Sequence, residues 1–141
     1  MTQHSRRAVL IGGGAALLAL GAGVGLVAAG RDPGFEQTFL TVDEMKATGG
    51  LIVDIRTPPE WAETGVIDDA VLLTFTGPDR FLDQLAPALA DGRDLILVCR
   101  SGNRTRAAAQ AIQGRIPNRI VSIEGGMKRV IASGYRTVPA G

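Results

Sequence analysis

The sequence predicts an α/β domain, a central parallel sheet with helices on both faces. Two observations carry that expectation, and a third says where a ligand would meet the sheet. Residues 51–53, 71–73, 95–98 and 120–123 are short runs, apolar but for Ser122, the pattern of parallel strands buried on both faces. Stretches of helical spacing or composition alternate with them. The strand ends Asp54, Cys99 and Glu124 would then share one carboxyl edge, where open α/β sheets bind ligands.

The 141 residues suffice for one domain. The N-terminus reads as a separate unit, 1–30. Ser5-Arg6-Arg7 precedes an uncharged run over 8–30, and basic residues before an apolar stretch mark an export signal or a membrane anchor. The arginine pair after a serine resembles a twin-arginine signal. The run is rich in glycine, hence only mildly hydrophobic, and Val27-Ala28-Ala29 offers small residues for cleavage. Its 23 residues could also span a bilayer, so an uncleaved segment would bring 8–30 into contact with a membrane. The expectation is an exported, periplasmic or extracytoplasmic protein. Arg31-Asp32-Pro33-Gly34 breaks any helix, which makes 31–38 a linker and 39–141 the folded domain.

Within that domain Thr41-Val42-Asp43-Glu44 has capping-box spacing and predicts a short helix to about Ala47, ended by Thr48-Gly49-Gly50. The first buried strand, 51–53, closes on Asp54-Ile55-Arg56, whose charges read as an ion pair that fixes a following loop rather than, with Glu60, as the border of a pocket; Trp61 reads as an anchor of that loop. The strand at 71–73 leads to a helix over 78–90, with Phe81, Leu82, Leu85, Ala86 and Leu89 at three- and four-residue spacings. Pro87 interrupts that helix, and Asp91-Gly92 stops it.

Leu95 to Val98 is the next strand, Cys99 to Asn103 a tight loop, and Arg104 to Ile112 a helix of Ala, Arg and Gln. Ala107, Ala108, Ala111 and Ile112 give it a narrow apolar face. The last strand, 120–123, turns through Glu124-Gly125-Gly126-Met127 into a helix to about Ser133, ended by Gly134. The two glycines serve backbone conformation, and Met127 reads as core or pocket wall.

The lone cysteine sits where a strand ends and a helix begins. Free amides and the positive end of a helix attract an anion there, and a nest of successive loop amides does the same. Arg100, Arg104 and Arg106 add full charges. All three effects favour a thiolate, the nucleophilic form. An inert buried cysteine has no use for three neighbouring arginines. With one cysteine, no internal disulfide can form.

Cys99-Arg100-Ser101-Gly102-Asn103-Arg104-Thr105 closely resembles the active-site loop of single-domain rhodaneses, the thiosulfate sulfurtransferase family, and the likeness runs from about Phe39 to Pro139. The resemblance implies a rhodanese-like fold and a transferase that carries a sulfane sulfur as a persulfide. It implies Cys99 as nucleophile, with Arg100, Ser101, Gly102, Asn103, Arg104 and Thr105 binding the substrate. The loop amides would point at the sulfur, Arg100 and Arg104 would orient the donor, and Thr105 would cap the helix or bond the loop. The partners implied are a small anionic donor, thiosulfate or similar, and a thiophilic acceptor; no metal or organic cofactor is called for. Thr64-Gly65-Val66-Ile67-Asp68-Asp69-Ala70 departs from the family's Gly-His-Ile-Pro-Gly-Ala, and Val130 stands near the place of a common Trp.

The charge balance fits. Residues 31–92 hold 4 basic and 12 acidic side chains, net −8, and 93–141 hold 9 basic and 2 acidic, net +7. Cys99 lies in the basic half, which suits an anionic substrate, unless the halves merely neutralise each other. Aromatics are too scarce and the basic residues too scattered for a nucleic-acid surface. Two alternatives stand beside the transferase. A persulfide carrier serving one partner protein would need the same loop. A phosphatase or arsenate reductase would need one more residue between Cys99 and Arg104.

Overall fold

The structure, a computed structural model, describes residues 34–141. The export signal or anchor read at 1–30, and the start of the linker, lie outside the described residues. The elements follow in the order β1 (Glu36–Thr38), α1 (Val42–Ala47), β2 (Leu51–Asp54), α2 (Pro58–Thr64), β3 (Val71–Leu72), α3 (Pro78–Leu89), β4 (Leu95–Val98), α4 (Asn103–Ile112), β5 (Ile120–Ile123) and α5 (Gly126–Ala132).

The five strands form one parallel sheet in the order β1-β5-β4-β2-β3. Successive strand residues face opposite sides, so each buried run divides its side chains between two cores. Leu51, Val53, Leu95, Leu97, Cys99 and Ile120 pack with Phe81, Leu85 and Leu89 of α3 and with Ala108, Ala109 and Ile112 of α4. Ile52, Ile96, Val98, Val121 and Ile123 pack on the other side with Val42 and Met45 of α1 and with Met127 and Val130 of α5. The expected layering is present, with helices on both faces.

Local chemistry sets most of the boundaries. The Thr41 box closes as expected: the Glu44 amide donates to Thr41 Oγ1 (3.2 Å) and the Thr41 amide donates to Glu44 Oε2 (2.7 Å). Pro87 does not end α3, which continues to Leu89. The buried face of α4 is Thr105, Ala108, Ala109 and Ile112, whereas Ala107 and Ala111 are exposed. The apolar stripe is thus rotated from the expected one, because Ala107 and Ala111 follow the spacing of a different row.

Two elements differ from the sequence reading. β1 lies inside 31–38, the stretch assigned to the linker, and pairs with β5 through Glu36↔Val121 and Thr38↔Ile123. Glu-Gln-Thr carries no apolar signal, and an edge strand needs little of one. α2 occupies the segment expected as loop after Arg56. It begins as a helix should: Pro58 and Pro59 follow Thr57, whose amide and hydroxyl both donate to Glu60 Oε2 (3.1 and 2.9 Å).

Asp54 and Arg56 form the expected ion pair, with both side chains about 1% exposed. Arg56 donates through Nε and Nη2 to the Asp54 carboxylate (2.9–3.1 Å), through Nη1 to Thr64 Oγ1 (2.8 Å) and through Nη2 to Gly65 O (3.1 Å). The pair clamps the far end of α2 to the tip of β2. Removing one partner strands a buried charge. Arg56→Met is expected to destabilise the domain by about 3–5 kcal/mol in urea unfolding, and Asp54→Leu added to it to recover part of that loss; an Arg56→Met loss below about 1 kcal/mol would show that the pair does not hold the joint.

Candidate active site

The site is built at the carboxyl end of β4. Val98 lies beside Asp54 in the sheet, and the Ile55 amide donates to Val98 O (2.9 Å). The chain then leaves the sheet with Cys99, which is 1% exposed. It turns through Arg100 and Ser101, both exposed, into Gly102 at φ +99°, a left-handed conformation that favours glycine and caps α4. The turn brings the Gly102 amide to 3.1 Å from Cys99 Sγ, as a donor to the sulfur. Among the loop amides that the sequence directs at the sulfur, this one makes the bond. Thr105, one turn into α4 and fully buried, donates its hydroxyl to Gly102 O (3.1 Å) and lies 3.6 Å from Sγ. It therefore bonds the loop, as one of its two expected roles required.

A second helix holds the loop from the other side. The first amides of α5 donate to the loop's carbonyls, Met127 N–H to Cys99 O (2.7 Å) and Lys128 N–H to Arg100 O (3.1 Å). Gly126 makes this approach possible: at φ +54°, a Cβ there would lie 2.4 Å from Cys99 O and 2.6 Å from the Arg100 carbonyl carbon. The Gly-Gly turn thus serves a close backbone contact as well as conformation.

The arginines divide. Arg104 is bound by Glu60 of α2, Nη1 to Oε2 at 2.9 Å and Nη2 to Oε1 at 2.6 Å. The guanidinium holds the Glu60 carboxyl down at about 2, well below its ordinary 4.5, and the carboxylate pushes Arg104 up in turn. The resemblance gives Arg104 the role of orienting the donor; here its fork is filled by a carboxylate. Arg100 has no ion-pair partner among the described residues, and neither has Lys128. Both line a small cleft of about 110 Å³ between α2 and α5, with Glu60, Glu63, Met127 and Ile131. Asn103 and Arg106 are exposed in the first turn of α4.

Two contributors escape the sequence reading, and a third, Glu60, enters it only as a pocket border set aside. Glu60 had a signal in its three-residue spacing from Thr57. Ser122, whose hydroxyl donates to Thr105 Oγ1 (2.8 Å), stood as one polar residue in an apolar run. Lys128 had none.

At the carboxyl edge of the parallel sheet a buried cysteine thus faces the start of a helix, with a main-chain amide bonded to its sulfur. Residues 39–133 match the model of the rhodanese-like domain, and this chain belongs to that family. It is 34% identical over 77 residues to a protein named a sulfurtransferase from Allochromatium vinosum, covering 55% of this chain and 67% of that one. Two solved structures share the fold. A rhodanese-related protein of Thermoplasma volcanium is 23% identical, with a TM-score of 0.53 over 72% of this chain and 97% of its own. A Rhodopseudomonas palustris protein of unknown function, titled a possible tyrosine phosphatase, is 19% identical, with a TM-score of 0.59 over 96% of this chain and 100% of its own.

The Glu60–Arg104 pair makes a pH-dependent prediction. A carboxyl whose folded value is depressed stabilises fully above its unfolded value, and the gain fades as pH falls toward the folded one. The stability gap between wild type and Glu60→Gln, about 0.5–1 kcal/mol for a half-exposed pair, should hold above pH 4.5 and close between 4.5 and about 2. Urea unfolding across that range measures it, and a gap that widens on acidification contradicts the pairing.

Proposed function

We propose that the chain is a sulfurtransferase that moves a sulfane sulfur from thiosulfate, or a similar anionic donor, to a thiophilic acceptor through a persulfide on Cys99. What carries the reading is the Gly102 amide at 3.1 Å from Sγ, in a loop pinned on both sides by helix starts. In the first half-reaction the Cys99 thiolate attacks the outer sulfur of thiosulfate. The new S–S bond forms as the donor's S–S bond breaks, and sulfite leaves with the electron pair. In the second, cyanide or a thiolate attacks the outer sulfur of the persulfide and releases Cys99 as thiolate. Charge stays on sulfur throughout, and the fixed amide dipole stabilises it at no cost of reorganisation. Arg100 and Lys128, the cleft's unpaired cations, draw the anion in, while Arg104 buttresses the loop through Glu60. Ser101 and Asn103 present polar side chains beside the incoming donor.

The loop length argues against oxyanion hydrolysis. Four residues separate Cys99 from Arg104, one fewer than a phosphate cradle takes, and Arg104 is committed to Glu60. We further propose that 1–30 directs export, with the domain working outside the cytoplasm.

Wild-type protein is expected to turn over thiosulfate with cyanide and to leave an aryl phosphate intact. Cys99→Ser should lose transfer by at least about 10³-fold. Intact mass of the protein from its native host should show a thiol carrying one extra sulfur atom and, if 1–30 is removed, a shortened N-terminus. Substantial turnover by Cys99→Ser rejects the nucleophile. A single loading event without turnover favours the carrier.

A further inference from the structure

Ser122 is a hydroxyl where its strand otherwise presents hydrocarbon. All four residues of β5 are buried, and Ser122 is fully so. It shares a sheet face with Ile120, which packs against α4, and its Oγ lies 2.8 Å from Thr105 Oγ1. Counting hydrogens fixes the direction of these bonds. A carbonyl can only accept, so Thr105 donates its single hydrogen to Gly102 O (3.1 Å), and Ser122 is the donor in the other bond. Thr105 keeps one lone pair for the Cys99 S–H, 3.6 Å away.

That arrangement changes when the sulfur carries charge. Once the thiol proton has left to solvent, or the outer sulfur has been added, Sγ has no hydrogen to give. Thr105 then becomes a second donor to the sulfur, beside the Gly102 amide, by turning its hydrogen from Gly102 O to Sγ. The hydrogen from Ser122 fills the lone pair on the far side, so the Thr105 hydroxyl has these two acceptors and no third. It also polarises the Thr105 O–H and strengthens its donation.

We propose, resting on the sulfurtransferase reading above, that Ser122 is a positioning residue for sulfur transfer. It acts through Thr105, holding that hydroxyl so that its one hydrogen passes between the Gly102 carbonyl and the Cys99 sulfur.

The test is a double-mutant cycle read in two assays. Alkylation of Cys99 by iodoacetamide near pH ~7 requires no sulfur transfer; steady-state turnover of thiosulfate with cyanide does. Ser122→Ala is expected to slow alkylation and kcat by about three- to tenfold. KM for thiosulfate should stay within about twofold, because Ser122 lies outside the cleft. In a Thr105→Val background Ser122→Ala should have no further effect, whereas in Thr105→Ser, which keeps the hydroxyl, the effect should persist. Ser122→Gly deletes the same hydroxyl and serves should Ser122→Ala not purify folded. An unchanged alkylation rate in folded Ser122→Ala or Ser122→Gly overturns the proposal, and so does an equal slowing in the Thr105→Val background. Absence of turnover in the wild type defeats the sulfurtransferase reading instead, and the alkylation cycle still decides Ser122.

Discussion

Everything at the site depends on how closely the start of α5 lies against the backbone of Cys99 and Arg100. With no Cβ at residue 126, two successive amides reach two successive carbonyls, at 2.7 and 3.1 Å. Those carbonyls are thereby committed to α5, away from the sulfur. A carbonyl turned toward a charged sulfur would repel it, and an amide turned toward it attracts it. The Gly-Gly turn of one βα joint thus sets the polarity of the loop at its neighbour. The cost of a side chain at position 126 is therefore a loop with its dipoles misdirected, beyond any local strain.

The two-residue period of the strands then distributes the work. Leu95, Leu97 and Cys99 face α3 and α4, so the sulfur emerges on the side where α4 begins. Ser122 and Ile120 face that same side from the adjacent strand, which is how a β5 hydroxyl comes under the α4 residue that watches the sulfur. A one-residue slip of β5 would put Val121 beneath Thr105 and Ser122 among α1 and α5. The parallel register Leu95↔Ile120 and Leu97↔Ser122 is thus part of the site.

The strands β2 to β5 and the helices α1, α3, α4 and α5 were legible because apolar runs, spacing and caps are local signals. The cysteine loop was legible because strand, glycine turn and helix start follow one another in the chain. What stayed hidden was set by pairing across the fold. Glu36-Gln37-Thr38 becomes a strand only because β5 offers an open edge. Ser122 looked like a weak point in an apolar run until α4 placed Thr105 above it. Pro58 with Thr57 and Glu60 did carry a helix signal, and the reading of Asp54 and Arg56 as a pair that fixes a following loop outweighed it. The pairing of Arg104 with Glu60 could not be read, since the partner lies 44 residues earlier.

Charge shows the same division between composition and contact. The −8 and +7 halves suggest a strong positive field around Cys99, but much of the basic half is spent across the divide. Arg104 pairs with Glu60, Arg115 with Asp79, and Arg119 with Glu36 as well as with nearby Asp94. Arg129 lies over the Phe39 ring at 4.3 Å. Exposed pairs of this kind add little stability and largely cancel each other's field at a distance. In the cleft that Glu60, Glu63 and Ile131 also line, the cations that stay outside such pairs are Arg100 beside the cysteine and Lys128 at the start of α5. Both follow directly from the close contact at Gly126, since Lys128 is the residue whose amide holds Arg100 O. The backbone bond that aims the loop dipoles also brings Arg100 and Lys128 to the same opening.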